Sequence, residues 1–284
     1  MARRALCVGI DTYRLPDRLE EMAGADVALR GSVNDALAWA DVFGREYGFD
    51  RILVLLDGEA TKSAVMGALE KLLGDSRDGD VLAFAFSGHG TYVVDRTAEG
   101  DERYDEAMVT HDDLLTDDEF AGLLPGRDSG ARLTVISDSC FAAGVLDIEE
   151  EDTKPRGGDR AKGFRPKGFR PKGFRPKHLP PDVFERETLA PRPSDRPYPR
   201  RRVEEHKMRE MLLAAAGPGR IAFDDDFDGA PQGVLTHYAL RAMNEARYDL
   251  TYAQLMERIS TLIPPAFDQV PVLEGVGKEH TVFT

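Results

Sequence analysis

The sequence predicts an α/β fold with a largely parallel sheet. Three observations carry this. Aliphatic runs of strand length recur at 5–10, 51–57, 81–90 and 132–140. Helix-periodic segments lie between them. Such runs, apolar on both faces, belong to buried parallel strands covered by helices. The third observation is that two of the runs end in polar tips, Ser87-Gly88-His89-Gly90 and Asp138-Ser139-Cys140. Chemistry in open α/β sheets sits beyond the carboxyl ends of the strands.

The elements follow in order. ALCVGI (5–10) is a strand ending at a turn. Val33 to Tyr47 reads as a helix with Leu37, Ala40 and Phe43 on one face. RILVLLD (51–57) is a second strand, and Thr61 caps the helix SAVMGALEKLL. VLAFAFSGHG (81–90) is the third strand. Residues 91–116 read as acidic and irregular, with one strand at Ala107–Thr110. Thr116 starts a short capped helix, and RLTVISDSC (132–140) is another buried strand. Beyond residue 206, MLLAAAG (211–217) is a strand, 233–246 is a helix, 251–263 is a helix with Thr251 as N-cap, and QVPVLEG (269–275) is an edge strand because of Pro271.

Between these halves the chain changes character. From about Glu149 to Arg202 it is rich in Pro, Arg, Lys and Gly and repeats KGFRP at 162–166, 167–171 and 172–176. Without apolar periodicity it reads as an extended or disordered linker. The expected organisation is therefore 1–148, a basic linker at 149–206, and 207–284 completing the same fold.

Composition narrows the function. The 284 residues carry 51 acidic and 37 Lys plus Arg side chains, a net charge of −14. That balance argues against nucleic-acid binding and favours cations or basic peptides. No apolar run approaches the ~20 residues of a membrane span. The apolar stretch that ends at Asp11 is too short for a secretory leader. Cys7 and Cys140 are the two cysteines, too few for a disulfide framework. The expected setting is cytoplasmic.

Taken singly, Cys140 reads as a small buried hydrophobe and His89 as a turn residue. Placed together at two strand ends, they read as nucleophile and base, since a thiol needs a base or an electropositive setting near neutral pH. Gly88 and Gly90 allow close backbone approach, and an amide at such a turn can stabilise an oxyanion.

These residues carry a resemblance. ALCVGIDTY, GSVNDA (31–36), FSGHG (86–90), YDEAMV (104–109), LLTDDEF (114–120) and SDSCFAAGVLD (137–147) are similar to the corresponding segments of metacaspases. These are caspase-like cysteine peptidases. The resemblance covers most of the chain outside about 149–206. It implies a caspase-like α/β/α sandwich with about six mostly parallel strands. It also implies His89 as general base, Cys140 as nucleophile, and the Gly90 amide in the oxyanion hole.

The family cleaves after Arg or Lys. Its acidic pocket maps to Asp35 and Asp138, lined by Ser87 and Ser32. A buried cation needs such a carboxylate partner; the residue-level alternative for Asp35 is an acid at a helix N-terminus. The resemblance further implies Ca²⁺ at Asp105, Asp117, Asp118 and Asp147, with hard oxygen ligands suited to that ion. The alternative for Asp117-Asp118 is a helix-capping acid pair. Asp224-Asp225-Asp226 reads as a solvated loop, with the substrate cleft or a second cation as other uses.

The basic linker suits such an enzyme as its own substrate. Lys162, Lys167 and Lys172, each followed by Gly, and Arg200, Arg201 and Arg202 are the candidate self-cleavage positions. A docking tail for an anionic partner and a pseudosubstrate held in the acidic pocket are the alternatives. The reading is a calcium-activated, self-processing, monomeric endopeptidase acting on proteins or peptides with basic P1 residues. The competing class is a catalytically silent caspase-like scaffold.

Overall fold

Aliphatic strands and their connecting helices assemble as the pattern requires. The structure is a computed structural model and describes residues 1–14, 27–95, 103–140, 175–179, 210–217 and 220–284. In chain order its elements are β1 (Arg3–Gly9), α1 (Ser32–Arg45), β2 (Arg51–Leu56), α2 (Lys62–Gly74), β3 (Val81–Ser87), β4 (Gly90–Asp95), β5 (Arg103–Val109), β6 (Leu114–Thr116), α3 (Asp117–Leu123) and β7 (Arg132–Asp138). They continue with β8 (Arg175–Pro176), β9 (Met211–Ala214), β10 (Phe223–Phe227), β11 (Ala230–Gly233), α4 (Val234–Glu245), α5 (Tyr252–Leu262) and β12 (Val272–Glu274).

The central sheet has six strands in the order β12-β9-β7-β3-β1-β2. All neighbours are parallel except β12 on β9. The antiparallel edge strand is the one that contains the proline-preceded VLE segment. Register fixes the position of the site. Gly9 pairs with Ser87 and Ser87 with Asp138, so the carboxyl ends of β1, β3 and β7 form one row.

Side chains alternate across the sheet, as a strand requires. Ala5, Cys7, Ala83 and Ala85 face one core with Trp39 and Phe43 of α1, Met243 of α4 and Ile259 of α5. Leu6, Val8, Leu82 and Phe84 face the other with Leu69 and Leu73 of α2 and Phe120 of α3. This is the expected caspase-like α/β/α sandwich with a mostly parallel six-stranded sheet.

Two local expectations are corrected. The buried stripe of α1 is Ala36, Trp39, Val42 and Phe43, whereas Leu37 is exposed. Trp39 sets the helix rotation, because its ring is fully buried and its indole N–H donates to Thr236. The region 91–116 is more regular than its acidity suggested: β4, β5 and β6 form a three-stranded antiparallel sheet. Its polar composition masked the strands, since acidic residues surround the core-reaching Ala107, Met108, Val109, Leu114 and Leu115. The predicted caps hold: Thr61, Thr116 and Thr251 each accept the N3 amide of their helix.

Candidate active site

The row of strand ends gathers a buried polar cluster. Asp35 lies in the first turn of α1, Ser87 closes β3, Asp138 closes β7 and Asp224 lies on β10. Between them sits the ammonium of Lys177, whose side chain is fully buried. Its Nζ is 3.1 Å from carboxylate oxygens of each of Asp35, Asp138 and Asp224, and 2.8 Å from the Ser87 hydroxyl.

Each carboxylate is also held by backbone amides. Asp35 accepts from Gly233 and from the Ser87 hydroxyl. Asp138 accepts from Thr236 at the start of α4, and Asp224 from Arg30 and Gly31. Charges taken out of water survive only when paired and hydrogen-bonded in this way. Burial pulls the Lys177 ammonium down, but the surrounding carboxylates outweigh it and hold its pKa well above the ordinary value. With three acids to one cation, negative charge is in surplus. Asp35, the most confined, is pushed up, chiefly by burial and further by Asp138 and Asp224, against the pull of Lys177.

The backbone of Lys177 is held as firmly. Its carbonyl accepts from the amides of Gly90 (3.0 Å) and Cys140 (3.3 Å), and its amide donates to Ala222 (2.8 Å). Upstream, β8 pairs antiparallel with β10, placing Arg175 opposite Asp224 and Pro176 opposite Phe223. Downstream, the Leu179 amide donates to Gly90 and its carbonyl accepts from Thr91. Residues 175–179 thus cross the ends of β3 and β7 as an extended peptide. Gly90 permits the approach: a Cβ there would lie 1.9 Å from the Cys140 carbonyl oxygen.

Cys140 and His89 flank this peptide from the ends of β7 and β3. The Cys140 sulfur accepts the Ala222 amide at 3.1 Å. His89 Nε2 lies 2.7 Å from the Val27 carbonyl, so Nε2 carries the proton. Nδ1 is then the basic lone pair, and it has no hydrogen-bond partner among the described residues. Tyr13 positions the ring: its hydroxyl accepts the His89 amide, and the two rings lie 5.1 Å apart. Burial pushes the Cys140 thiol up to about 12 and the His89 imidazole down to about 4. With the peptide seated, the pair is therefore thiol and neutral imidazole.

The His89 shift sets a stability window. A depressed imidazole pKa makes the unfolded chain the better proton binder below about 6.5. Stability from this group is complete above about 6.5 and is lost as pH falls toward about 4. The total is roughly 3 kcal/mol at one unit per 1.36 kcal/mol. Urea midpoints are expected to fall across that window in the Cys140→Ala chain, and His89→Gln is expected to flatten the fall.

The structure brings Asp35, Asp138 and Ser87 together with Gly90, Cys140 and His89. Ser32 starts α1, but its buried hydroxyl has no hydrogen-bond partner among the described residues. Asp117 and Asp118 open α3 inside a complete capping box of Thr116 and Glu119. Asp105 lies on β5 opposite Val93, with its side chain outside the described atoms. Asp147, Lys162, Lys167, Lys172, Arg200, Arg201 and Arg202 lie outside the described residues. Among the described residues no three acidic, His or Cys side chains gather as a metal site.

One expectation is overturned. Asp224 is not part of a solvated loop: it is 2% exposed and is a wall of the lysine pocket. Within the linker, Arg175–Pro176 form a short strand and Lys177 is seated in that pocket. Asp224 was missed because a run of three aspartates looks solvated; only the alternation of β10 turns one of them inward. For Lys177 a signal was available: it follows the third KGFRP and ends the same Phe-Arg-Pro-Lys as Lys167 and Lys172.

Comparison with known families decides the lineage. The family described as Metacaspase, peptidase C14 domain, matches residues 3–149, just over half of the chain. The chain belongs to the metacaspase family of cysteine peptidases. Metacaspase-4 of Arabidopsis thaliana is 34% identical over 160 residues, 53% of this chain and 36% of that protein. Metacaspase-1 of Meyerozyma guilliermondii is 30% identical over 159 residues, 51% of this chain and 36% of that protein. The chain thus spans little more than a third of each of these curated metacaspases. A Geobacter sulfurreducens protein of known crystal structure shares the fold, with a TM-score of 0.71 at 22% identity over 97% of this chain and 94% of that one. The metacaspase match ends at residue 149, before Lys177 and Asp224, so those two pocket residues stand on geometry alone.

Proposed function

We propose that this metacaspase is a cysteine endopeptidase that cleaves after Lys or Arg, and that its own linker is bound in the cleft as a substrate. The observation that carries the reading is Lys177. Its ammonium is enclosed by three carboxylates while its carbonyl accepts two amides beside the Cys140 thiol. A P1 residue requires both: side-chain recognition, and a carbonyl set in an oxyanion hole.

The chemistry follows from the groups present. His89 Nδ1 takes the thiol proton as Cys140 sulfur attacks the Lys177 carbonyl carbon. The negative charge on the oxygen is met by the Gly90 and Cys140 amides. Collapse breaks the Lys177–His178 bond, and the imidazolium gives its proton to the departing amine. Water then hydrolyses the thioester, releasing a carboxylate and restoring the thiol.

In the seated state the neutral thiol is a poor nucleophile. Resting inhibition is therefore part of the proposal: the segment keeps the pair dry until a trigger loosens it. Calcium is the proposed trigger, with Asp117 and Asp118 on α3 supplying hard oxygens together with Asp105 and Asp147. A monomer acting on basic protein or peptide substrates completes the reading.

Self-cleavage tests it. Purified in chelator and then given millimolar calcium, the full chain is expected to split within the linker on a gel, and Cys140→Ala is expected to stay whole. Splitting of the Cys140→Ala chain at the same rate overturns the assignment of the nucleophile.

A further inference from the structure

The seated segment is Arg175-Pro176-Lys177-His178-Leu179, and each described contact falls on a fixed place in it. Arg175 donates to the Ala28 carbonyl at 2.6 Å, and Pro176 pairs with Phe223. Lys177 fills the acidic pocket. Leu179 is 2% exposed and packs into the core beneath β4 and β5. The pattern in the cleft is Arg-Pro-Lys, then a residue whose backbone bridges to Gly90, then a large apolar one.

Read in that phase, the repeat contains the same pattern twice more. Residues 165–169 and 170–174 are both Arg-Pro-Lys-Gly-Phe. The three copies are contiguous, and the apolar place is held by Phe169, Phe174 and Leu179. Read as KGFRP, the repeat is merely basic; read in the phase of the cleft, it consists of successive occupants.

We infer that the linker is a tandem array of three interchangeable occupants of the lysine pocket, Arg165-Pro166-Lys167, Arg170-Pro171-Lys172 and Arg175-Pro176-Lys177. Each blocks the cleft while uncut and is a cleavage site once the enzyme is switched on. This rests on the proposal that the pocket takes a basic P1 residue.

Tethering permits the exchange. Moving from Lys177 to Lys167 shortens the tether to Cys140 from 177 − 140 = 37 residues to 167 − 140 = 27. Closure probability scales as about the −3/2 power of length, so the change is less than about twofold. The tether to β9 lengthens and offsets part of it. Each copy is present at the high effective concentration of a linked ligand. Loss of one therefore leaves the pocket filled by another.

Cutting uses the same chemistry at each copy: one Lys–Gly or Lys–His amide broken, one water consumed, one carboxylate and one amine formed. Cuts after Lys167, Lys172 and Lys177 release 168–172 and 173–177, both Gly-Phe-Arg-Pro-Lys.

Two measurements on the full chain test the array. After calcium, N-terminal mapping by mass spectrometry is expected to find new termini at Gly168, Gly173 and His178. Lys177→Ala is expected to keep the first two within about threefold of their original rates. Cutting confined to the Lys177–His178 bond, with Lys177→Ala left whole, overturns the array while leaving the basic pocket standing.

The second measurement needs no catalysis. In the Cys140→Ala background, a fluorescent Phe-Arg-Pro-Lys peptide is expected to bind the added Lys177→Ala change no better than the parent. It is expected to bind at least tenfold tighter when Lys167, Lys172 and Lys177 are all Ala. Equal tightening in the single and triple variants overturns the array. A triple variant that fails to bind the peptide contradicts the basic-pocket reading, and the array falls with it.

Discussion

Asp138→Asn is expected to lower kcat/KM for a P1-Lys peptide by ~10–10². The Asp138 carboxylate lies 3.1 Å from Lys177 Nζ in a site sealed from water. Asp35 and Asp224 still pair the ammonium, so the loss is that of one hydrogen bond to a charged group, roughly 1.5–3 kcal/mol, and each 1.36 kcal/mol is tenfold. The side chain contacts the P1 ammonium, so the loss appears mainly in KM. A P1-Gln peptide never used that charge and is expected to change by less than about fivefold. Asp138 precedes Cys140 by two residues, so the alkylation rate of Cys140 serves as the control for local damage. A matched fall for both peptides would place Asp138 in support of the nucleophile instead of in recognition.

The second large effect concerns the thiol itself. In chelator, Cys140 of the intact chain is expected to react slowly with iodoacetamide, because burial holds its pKa near 12. Replacing Lys167, Lys172 and Lys177 together by Ala removes the ammonium that anchors the segment. Water then reaches the sulfur, and its pKa returns toward the ordinary ~8.5. At pH 7.5 the thiolate fraction, and with it the labelling rate, rises by ~10³ or more. Cys7 lies fully buried in β1 with its pKa also raised, so the label reports Cys140. Lys177→Ala alone is expected to change little, because Lys172 takes the vacated pocket. An unchanged rate in the triple variant would mean that the segment does not shield the thiol.

Much of this was legible in the residues, for reasons that differ by element. The strands of the central sheet declared themselves because parallel strands are apolar on both faces. Thr61, Thr116 and Thr251 marked helix starts because a hydroxyl before a helical run satisfies an orphan amide. His89 and Cys140 were visible because strand ends in such sheets are where chemistry collects. The antiparallel β4–β5–β6 sheet was visible only at Ala107–Thr110, since acidic residues crowd the stretch around it. Asp224 and Lys177 were missed for a shared reason. Each looks like a solvated charge in its own stretch of sequence, and each is buried only because the other, with Asp35 and Asp138, neutralises it. Charges that compensate one another across about 190 residues leave no local signal for Asp224, and for Lys177 the one cue was the third copy of Phe-Arg-Pro-Lys. Tyr13 and Val27, which orient His89, act through a hydroxyl and a backbone carbonyl, and neither role has a periodicity to read.

The central claim is that the acidic pocket beside Cys140 selects a basic P1 residue for cleavage. The direct measurement is hydrolysis of matched fluorogenic peptides ending in Lys, Arg, Gln or Asp at P1, by the full chain and by Cys140→Ala, with and without millimolar calcium. The account predicts turnover of the Lys and Arg peptides at least ~10² above the Gln and Asp peptides, raised by calcium and absent in Cys140→Ala. Equal turnover of the Gln or Asp peptide, or turnover that survives in Cys140→Ala, would contradict it.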